Sequence, residues 1–186
     1  MSSDIRSTLA LVLGGGASTG LWPLTAERCK PAIPFGGRYR LIDVTISNCI
    51  NSKVPRVLVL TQYNSESLNK HVNQTYRFDY FTQGYVEILA AEQREDCETW
   101  FAGSANALRH VWHRIKRYGG KHILVLPGEQ IYKMDYRALL ENHLATGANL
   151  TMLTAPISAD DAPHCGLVRL DQKNEIVDFA EKPSKE

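Results

Sequence analysis

Three consecutive glycines, Gly14, Gly15 and Gly16, stand directly after the apolar run 9–13, and an isolated cation, Lys30, follows within a proline-bearing stretch. Glycines at the end of a buried strand let the backbone turn sharply and approach a ligand with its N–H groups outward. Phosphate is the usual guest of such a nest. A plain strand-to-helix turn would ask the same of the glycines, so the chemistry rests on what accompanies them. Pro31 and Pro34 stiffen the chain around Lys30 and fix its course, as a cation aimed at a phosphate requires. Two familiar phosphate signatures are excluded. A Walker loop needs Lys and then Ser or Thr after its last glycine, but Gly20 is followed by Leu21 and Trp22. The dinucleotide fingerprint needs glycine where Thr19 stands. The residues imply a phosphate-binding turn of a third kind.

The elements that must position these residues alternate between apolar runs and helical patterns, which predicts an α/β fold with a mostly parallel sheet and crossover helices. Strands are expected over 9–13, 56–61, 85–89, 122–126, 150–155, 167–170 and 176–180, and helices over 40–52, 65–72, 104–118 and 135–146. Ser104, Asn64 and Asp135 stand where helix N-caps belong. Asp171-Gln172-Lys173-Asn174 reads as a turn between two antiparallel strands. Open α/β sheets place ligands at strand ends followed by loops, as at Leu13/Gly14 and Leu126/Gly128.

A chain of 186 residues can bury a sizeable core. Its formal charge of +1 argues against nucleic acid or an anionic membrane as partner, so any attraction for phosphate must be local. No apolar run approaches the length of a membrane span, and residues 1–8 have no signal-peptide core. Cys29, Cys49, Cys97 and Cys165 are scattered without metal-ligand or redox-pair spacing, which predicts reduced thiols and a cytoplasmic location. The six histidines show no metal spacing either.

The stretch 9–34, LALVLGGGASTGLWPLTAERCKPAIP, resembles the opening signature of the sugar-1-phosphate nucleotidylyltransferases, G-G-x-G-T-R-L-x-P-L-T followed by K-P. The resemblance is greatest to the ADP-glucose pyrophosphorylase branch, the glucose-1-phosphate adenylyltransferases. It continues through Tyr39-Arg40-Leu41-Ile42-Asp43, Ser47-Asn48-Cys49-Ile50-Asn51-Ser52, Thr61-Gln62-Tyr63-Asn64-Ser65 and Val86-Glu87-Ile88-Leu89-Ala90-Ala91. Trp100-Phe101, Ile131-Tyr132-Lys133-Met134-Asp135-Tyr136 and Glu181-Lys182-Pro183 complete it.

The resemblance implies a three-layer α/β/α, Rossmann-like domain of the nucleotide-diphospho-sugar transferase type. It implies that residues 1–186 form the N-terminal part of the catalytic domain, with the carboxy-terminal left-handed β-helix of that branch absent. Expected substrates are ATP and glucose 1-phosphate, the cofactor is Mg2+, and the setting is allosterically regulated glycogen or starch synthesis by a homo- or hetero-oligomer. By the same resemblance, Gly14, Gly15, Gly16 and Gln93 bind the nucleotide, with the glycine N–H groups on the phosphates and Gln93 near the adenine. Lys30 approaches the phosphates at the reacting centre. Glu129 takes the place of the catalytic, metal-binding aspartate in the family's G-D-x-x-Y. Gly166, Glu181 and Lys182 meet the sugar phosphate, while Gln62 and Trp100 couple an activator site to the active site.

Three positions depart from the family pattern. Gly20 stands where the G-T-R arginine would clamp phosphate oxygens, a loss on the order of 10³-fold by analogy with other phosphoryl-transfer arginines. Arg28 is the nearby guanidinium that could substitute. Glu129 keeps the charge but displaces the carboxylate by about 1.5 Å, and a misplacement of about 1 Å can cost roughly 10²-fold. Asn106 replaces the aspartate of G-T-A-D-A at a helix start, where the lost charge is worth about 0.3–1 kcal/mol. The expectation is weakened adenylyl transfer; the alternative is a non-catalytic nucleotide or sugar-phosphate binding relative with a regulatory role.

Overall fold

The computed structural model describes residues 2–15, 21–79, 81–91 and 103–183. They form two units, Met1–Ala148 and Asn149–Glu186. Along the first unit run helix α1 (Ser2–Arg6), strands β1 (Thr8–Leu13), β2 (Pro34–Phe35) and β3 (Tyr39–Arg40), helix α2 (Leu41–Asn51), strand β4 (Arg56–Thr61) and helix α3 (Glu66–Thr75). Strand β5 (Tyr85–Ala90), helix α4 (Ser104–Tyr118), strand β6 (His122–Pro127) and helix α5 (Tyr136–Thr146) follow. The second unit carries strands β7 (Gly166–Leu170) and β8 (Ile176–Glu181).

Every strand of the main sheet is parallel, in the order β5-β4-β1-β6. Parallel strands must be covered on both faces, and the period of two assigns each side chain to one of them. Ala10, Val12, Val57, Val59 and Leu126 point to one side, where Ile42 and Ile46 of α2 and Leu68 and Val72 of α3 close over them. Leu9, Leu11, Leu58, Leu60 and Leu89 point to the other and meet Ala107, Val111 and Ile115 of α4. The result is a three-layer α/β/α fold. Because β4 and β5 add to one side of β1 and β6 to the other, the sheet changes its direction of growth at β1/β6. Ligands of open α/β sheets bind beyond the carboxyl ends at such a reversal.

The periodicity located β4 and α4 to the residue and the other strands of the main sheet to within one residue at either end. It misplaced one strand: 150–155 pairs with nothing among the described residues, and Leu150 and Leu153 are 75% and 63% exposed. An apolar run has strand propensity, but a strand needs a partner for its backbone groups. Two of the expected caps also shift. Gly103 precedes α4 and Ser65 precedes α3, whereas Asp135 does cap α5, its carboxylate accepting from the Arg137 N–H at 3.0 Å. The short β2–β3 hairpin, which turns through Gly36 and Gly37 at φ +57° and +84°, and α1 carried too few residues for a period to register. The turn at 171–174 is as expected: it joins the antiparallel pair β7–β8, with Asn174 at φ +62°. Cys29, Cys49 and Cys165 are free thiols, and burial pushes that of Cys49 up to about 12.

Two isoleucines one turn apart on α2 test the layering. Ile46 is fully buried and Ile50 is 36% exposed, so Ile46→Ala should cost about 2–5 kcal/mol and Ile50→Ala about 1 kcal/mol or less. Urea denaturation of both variants measures the difference, and equal losses would contradict the placement of α2 on the sheet.

Candidate active site

The carboxyl ends of β4, β1 and β6 lie side by side, so the residues that follow them directly share one edge of the sheet: Gln62, then Gly14 and Gly15, then Gly128 and Glu129. This adjacency is the one the two glycine-bearing loops predicted. The glycines are required there for close approach. A Cβ on Gly15 would stand 2.5 Å from the Gln62 nitrogen, and one on Gly128 would stand 2.8 Å from the Leu13 carbonyl oxygen. Gly14 corrects one expectation. Its N–H donates to the Leu60 carbonyl at 2.8 Å and so extends the β1–β4 ladder. That N–H is therefore not an outward donor. Gly16 and Gly20 lie outside the described residues, as do Gln93 and Trp100.

Lys30 reaches this edge from a single 3₁₀ turn, Lys30–Ala32. Its Nζ stands 3.2 Å from Glu129 Oε1, which joins two of the expected site residues across 99 positions of sequence. The two side chains are 29% and 41% exposed, and pairs this accessible are worth about 0–1 kcal/mol. A phosphate can therefore take Lys30 from Glu129 at little cost.

The Lys30 turn is held from behind. The Cys29 N–H donates to the Asn64 carbonyl at 3.1 Å, and the Leu41 N–H to that of Ile33 at 3.1 Å. The Arg40 guanidinium donates to the Ala32 carbonyl at 3.0 Å and to Ser67 Oγ at 2.7 Å. Arg40 is itself fixed through Asp43, which is buried and accepts from the Arg40 N–H at 2.8 Å, His71 Nε2 at 2.8 Å and the Tyr76 hydroxyl at 2.6 Å. Burial, and then the Asp43 carboxylate, raise the Tyr76 hydroxyl well above the usual phenol range, so it remains a donor. Sequence reading gave His71 no chemistry and Arg40 and Asp43 no role. The available signal was an acid three residues after Arg40 at a helix start, half of a capping box.

Magnesium fits this edge in a limited way. Among the described residues no group of three His, Cys, Asp or Glu side chains could hold a metal. Magnesium is commonly held by one or two carboxylates together with substrate phosphates, so Glu129 suits a metal that arrives with a nucleotide. Asn106 lies in the first turn of α4, which carries no acid there.

In the second unit, Gly166 and Glu181 are register partners at one end of the β7–β8 pair. The Glu181 Oε2 lies 3.1 Å from where a Cβ on Gly166 would sit. Lys182 follows at φ +46°, its N–H donating to the Cys165 carbonyl at 3.0 Å. The fold thus gathers all three expected sugar-phosphate residues within this unit.

Gly15→Ala forces the β1 and β4 ends apart and is expected to lower stability by about 1–3 kcal/mol, as overpacking does. Gly103→Ala, whose added carbon meets no atom of the described residues within 4 Å, should stay within about 0.5 kcal/mol of the parent. Thermal unfolding of the two variants checks both, and equal melting temperatures would refute the close approach.

A family model described as nucleotidyl transferase matches residues 9–186, from within β1 through the whole second unit. The family's substrates are in general a nucleoside triphosphate and a sugar phosphate, which agrees with a glycine edge, a cation and a carboxylate gathered at the carboxyl ends of a parallel sheet. No helix among the described residues is long and apolar enough to cross a membrane. With the match covering nearly all of its length, the chain belongs to the nucleotidyl transferase family.

Proposed function

We propose that the chain is a glucose-1-phosphate adenylyltransferase-like protein of the cytoplasm, acting on ATP and glucose 1-phosphate, with chemistry weakened at Gly20, Asn106 and Glu129. The observation that carries the reading is the meeting of Lys30 and Glu129 at 3.2 Å beside the Gly14 and Gly15 edge. In the reaction, a phosphate oxygen of the sugar 1-phosphate forms a bond to the α-phosphorus of the triphosphate, and the bond to pyrophosphate breaks. No covalent intermediate with the protein is needed, so the protein's work is positioning and charge compensation. Lys30 sets a cation against the reacting phosphates. Gly14 and Gly15 leave room for them, and Glu129 is the carboxylate that would share Mg2+ with the nucleotide. Bound magnesium would neutralise charge building on the phosphate oxygens. Gln93 is assigned to the adenine, Gly166, Glu181 and Lys182 to the sugar phosphate, and Gln62 and Trp100 to regulation.

A second reading, a non-catalytic nucleotide or sugar-phosphate binding homologue, draws support from the same pair. The glutamate is long enough to meet Lys30 directly, so the cation and the metal carboxylate neutralise one another. Such a site can bind an anion through Lys30 without holding a metal in the octahedral geometry magnesium demands.

Chromatographic detection of ADP-glucose from ATP, glucose 1-phosphate and Mg2+ separates the two. Glu129→Asp should raise turnover by up to about 10²-fold, and Gly20→Arg combined with it should raise turnover further than either alone, because the clamp and the metal carboxylate act as one unit. ATP affinity by calorimetry should change less than turnover. A double variant that binds both substrates yet makes no more product than the parent would overturn the weakened-catalyst reading in favour of the binding homologue.

A further inference from the structure

Helix α2 and its C-cap residue, Ser52, carry a line of buried polar side chains that neither the core nor the reacting groups explain. Thr45, Asn48 and Ser52 are 0%, 7% and 1% exposed, and their spacing of three and four residues puts them on one side of the helix. Each is spent on the backbone between the last residue of β6 and the first residue of α5. Thr45 Oγ1 donates to the Pro127 carbonyl at 2.9 Å, and Asn48 Nδ2 donates to the Tyr132 carbonyl at 2.9 Å. Ser52 Oγ accepts from the Tyr136 N–H at 2.9 Å. The first two contacts bracket Glu129, and the third pins the start of α5.

We infer that Thr45 and Asn48 are positioning residues, which hold the loop between Pro127 and Tyr132 and thereby set the Glu129 carboxylate opposite Lys30. The inference deepens the role proposed for Glu129 and rests on it. Glu129 itself is exposed, and its carboxylate meets Lys30, so the carboxylate is aimed chiefly by the backbone beneath it. The regular register of that backbone with β1 ends at Pro127. The Gly128 N–H still donates to the Leu13 carbonyl at 3.1 Å. Beyond it, α2 supplies the next fixed points. Inward-facing Tyr132 and Met134 pack on the core between the Asn48 and Ser52 contacts, so the polar line and the packing agree on one register. The residue that caps the start of the same helix is Arg40, whose guanidinium holds the carbonyl of Ala32, in the turn that carries Lys30. One rigid helix therefore locates both members of the charged pair. A hydrophobic residue at 45 or 48 would satisfy the core equally well and leave the loop without its donors.

The test compares Thr45→Val, which keeps shape and loses the hydroxyl, with Thr45→Ser, which keeps the hydroxyl, and adds Asn48→Leu. Hydrogen exchange is followed at the amides of residues 129–132 in the whole chain. Thr45→Val should raise it about tenfold while amides of β1 and α4 stay as in the parent. Turnover to ADP-glucose should fall by about 10- to 10²-fold with KM for glucose 1-phosphate nearly unchanged, and Thr45→Ser should restore both readouts. Should Asn48→Leu not fold, Thr45→Val carries the test alone. Unchanged exchange and turnover in a folded Thr45→Val, or a Thr45→Ser no better than it, overturns the inference. The reading of the site fails separately: Glu129→Gln with undiminished turnover would remove the role of Glu129, while raised exchange in Thr45→Val would still support the clamp.

Discussion

The backbones of β4, β1 and β6 converge at their carboxyl ends until there is no room for a Cβ at Gly15 or Gly128. The Gly14 N–H closes on the Leu60 carbonyl and the Gly128 N–H on that of Leu13, at 2.8 and 3.1 Å, so the sheet's pairing continues past the last regular strand residue. This close approach fixes the site. It brings Gln62, the glycine edge and Glu129 into one row. The glycines serve the packing of three strands first, and any ligand inherits the result.

Charge at this edge is balanced within the protein. Lys30 and Glu129 meet at 3.2 Å, both partly in solvent, where a pair contributes about 0–1 kcal/mol. The structure gains little from the contact, so its worth lies in where it leaves the two groups. The support beneath them is of another kind. Asp43 is buried and accepts from three donors, and Thr45 and Asn48 are buried donors to carbonyls. Buried polar groups left unpaired cost about 1–3 kcal/mol each, which makes these supports far stiffer than the pair they carry.

What the sequence determined by itself was local. The apolar runs placed every strand of the main sheet, and the helical spacing placed α2 to α5 to within a few residues. Gly14, Gly15, Lys30 and Glu129 were nameable as candidate site residues from residue types and a family resemblance; the fold puts Gly14, Gly15 and Glu129 at one sheet edge and Lys30 against Glu129. Other matters were decided only by tertiary structure. The run 150–155 has the composition of a strand, but pairing is a property of neighbours, and among the described residues it has none. The Gly14 donor looked outward in sequence and is taken by Leu60, because strand order set β4 beside β1. Thr45, Asn48 and Ser52 read as ordinary polar residues of a helix; their partners lie 82, 84 and 84 positions away. No window of a few turns contains a contact of that range. Periodicity records which face of an element is buried, and only the folded arrangement records what that face is buried against.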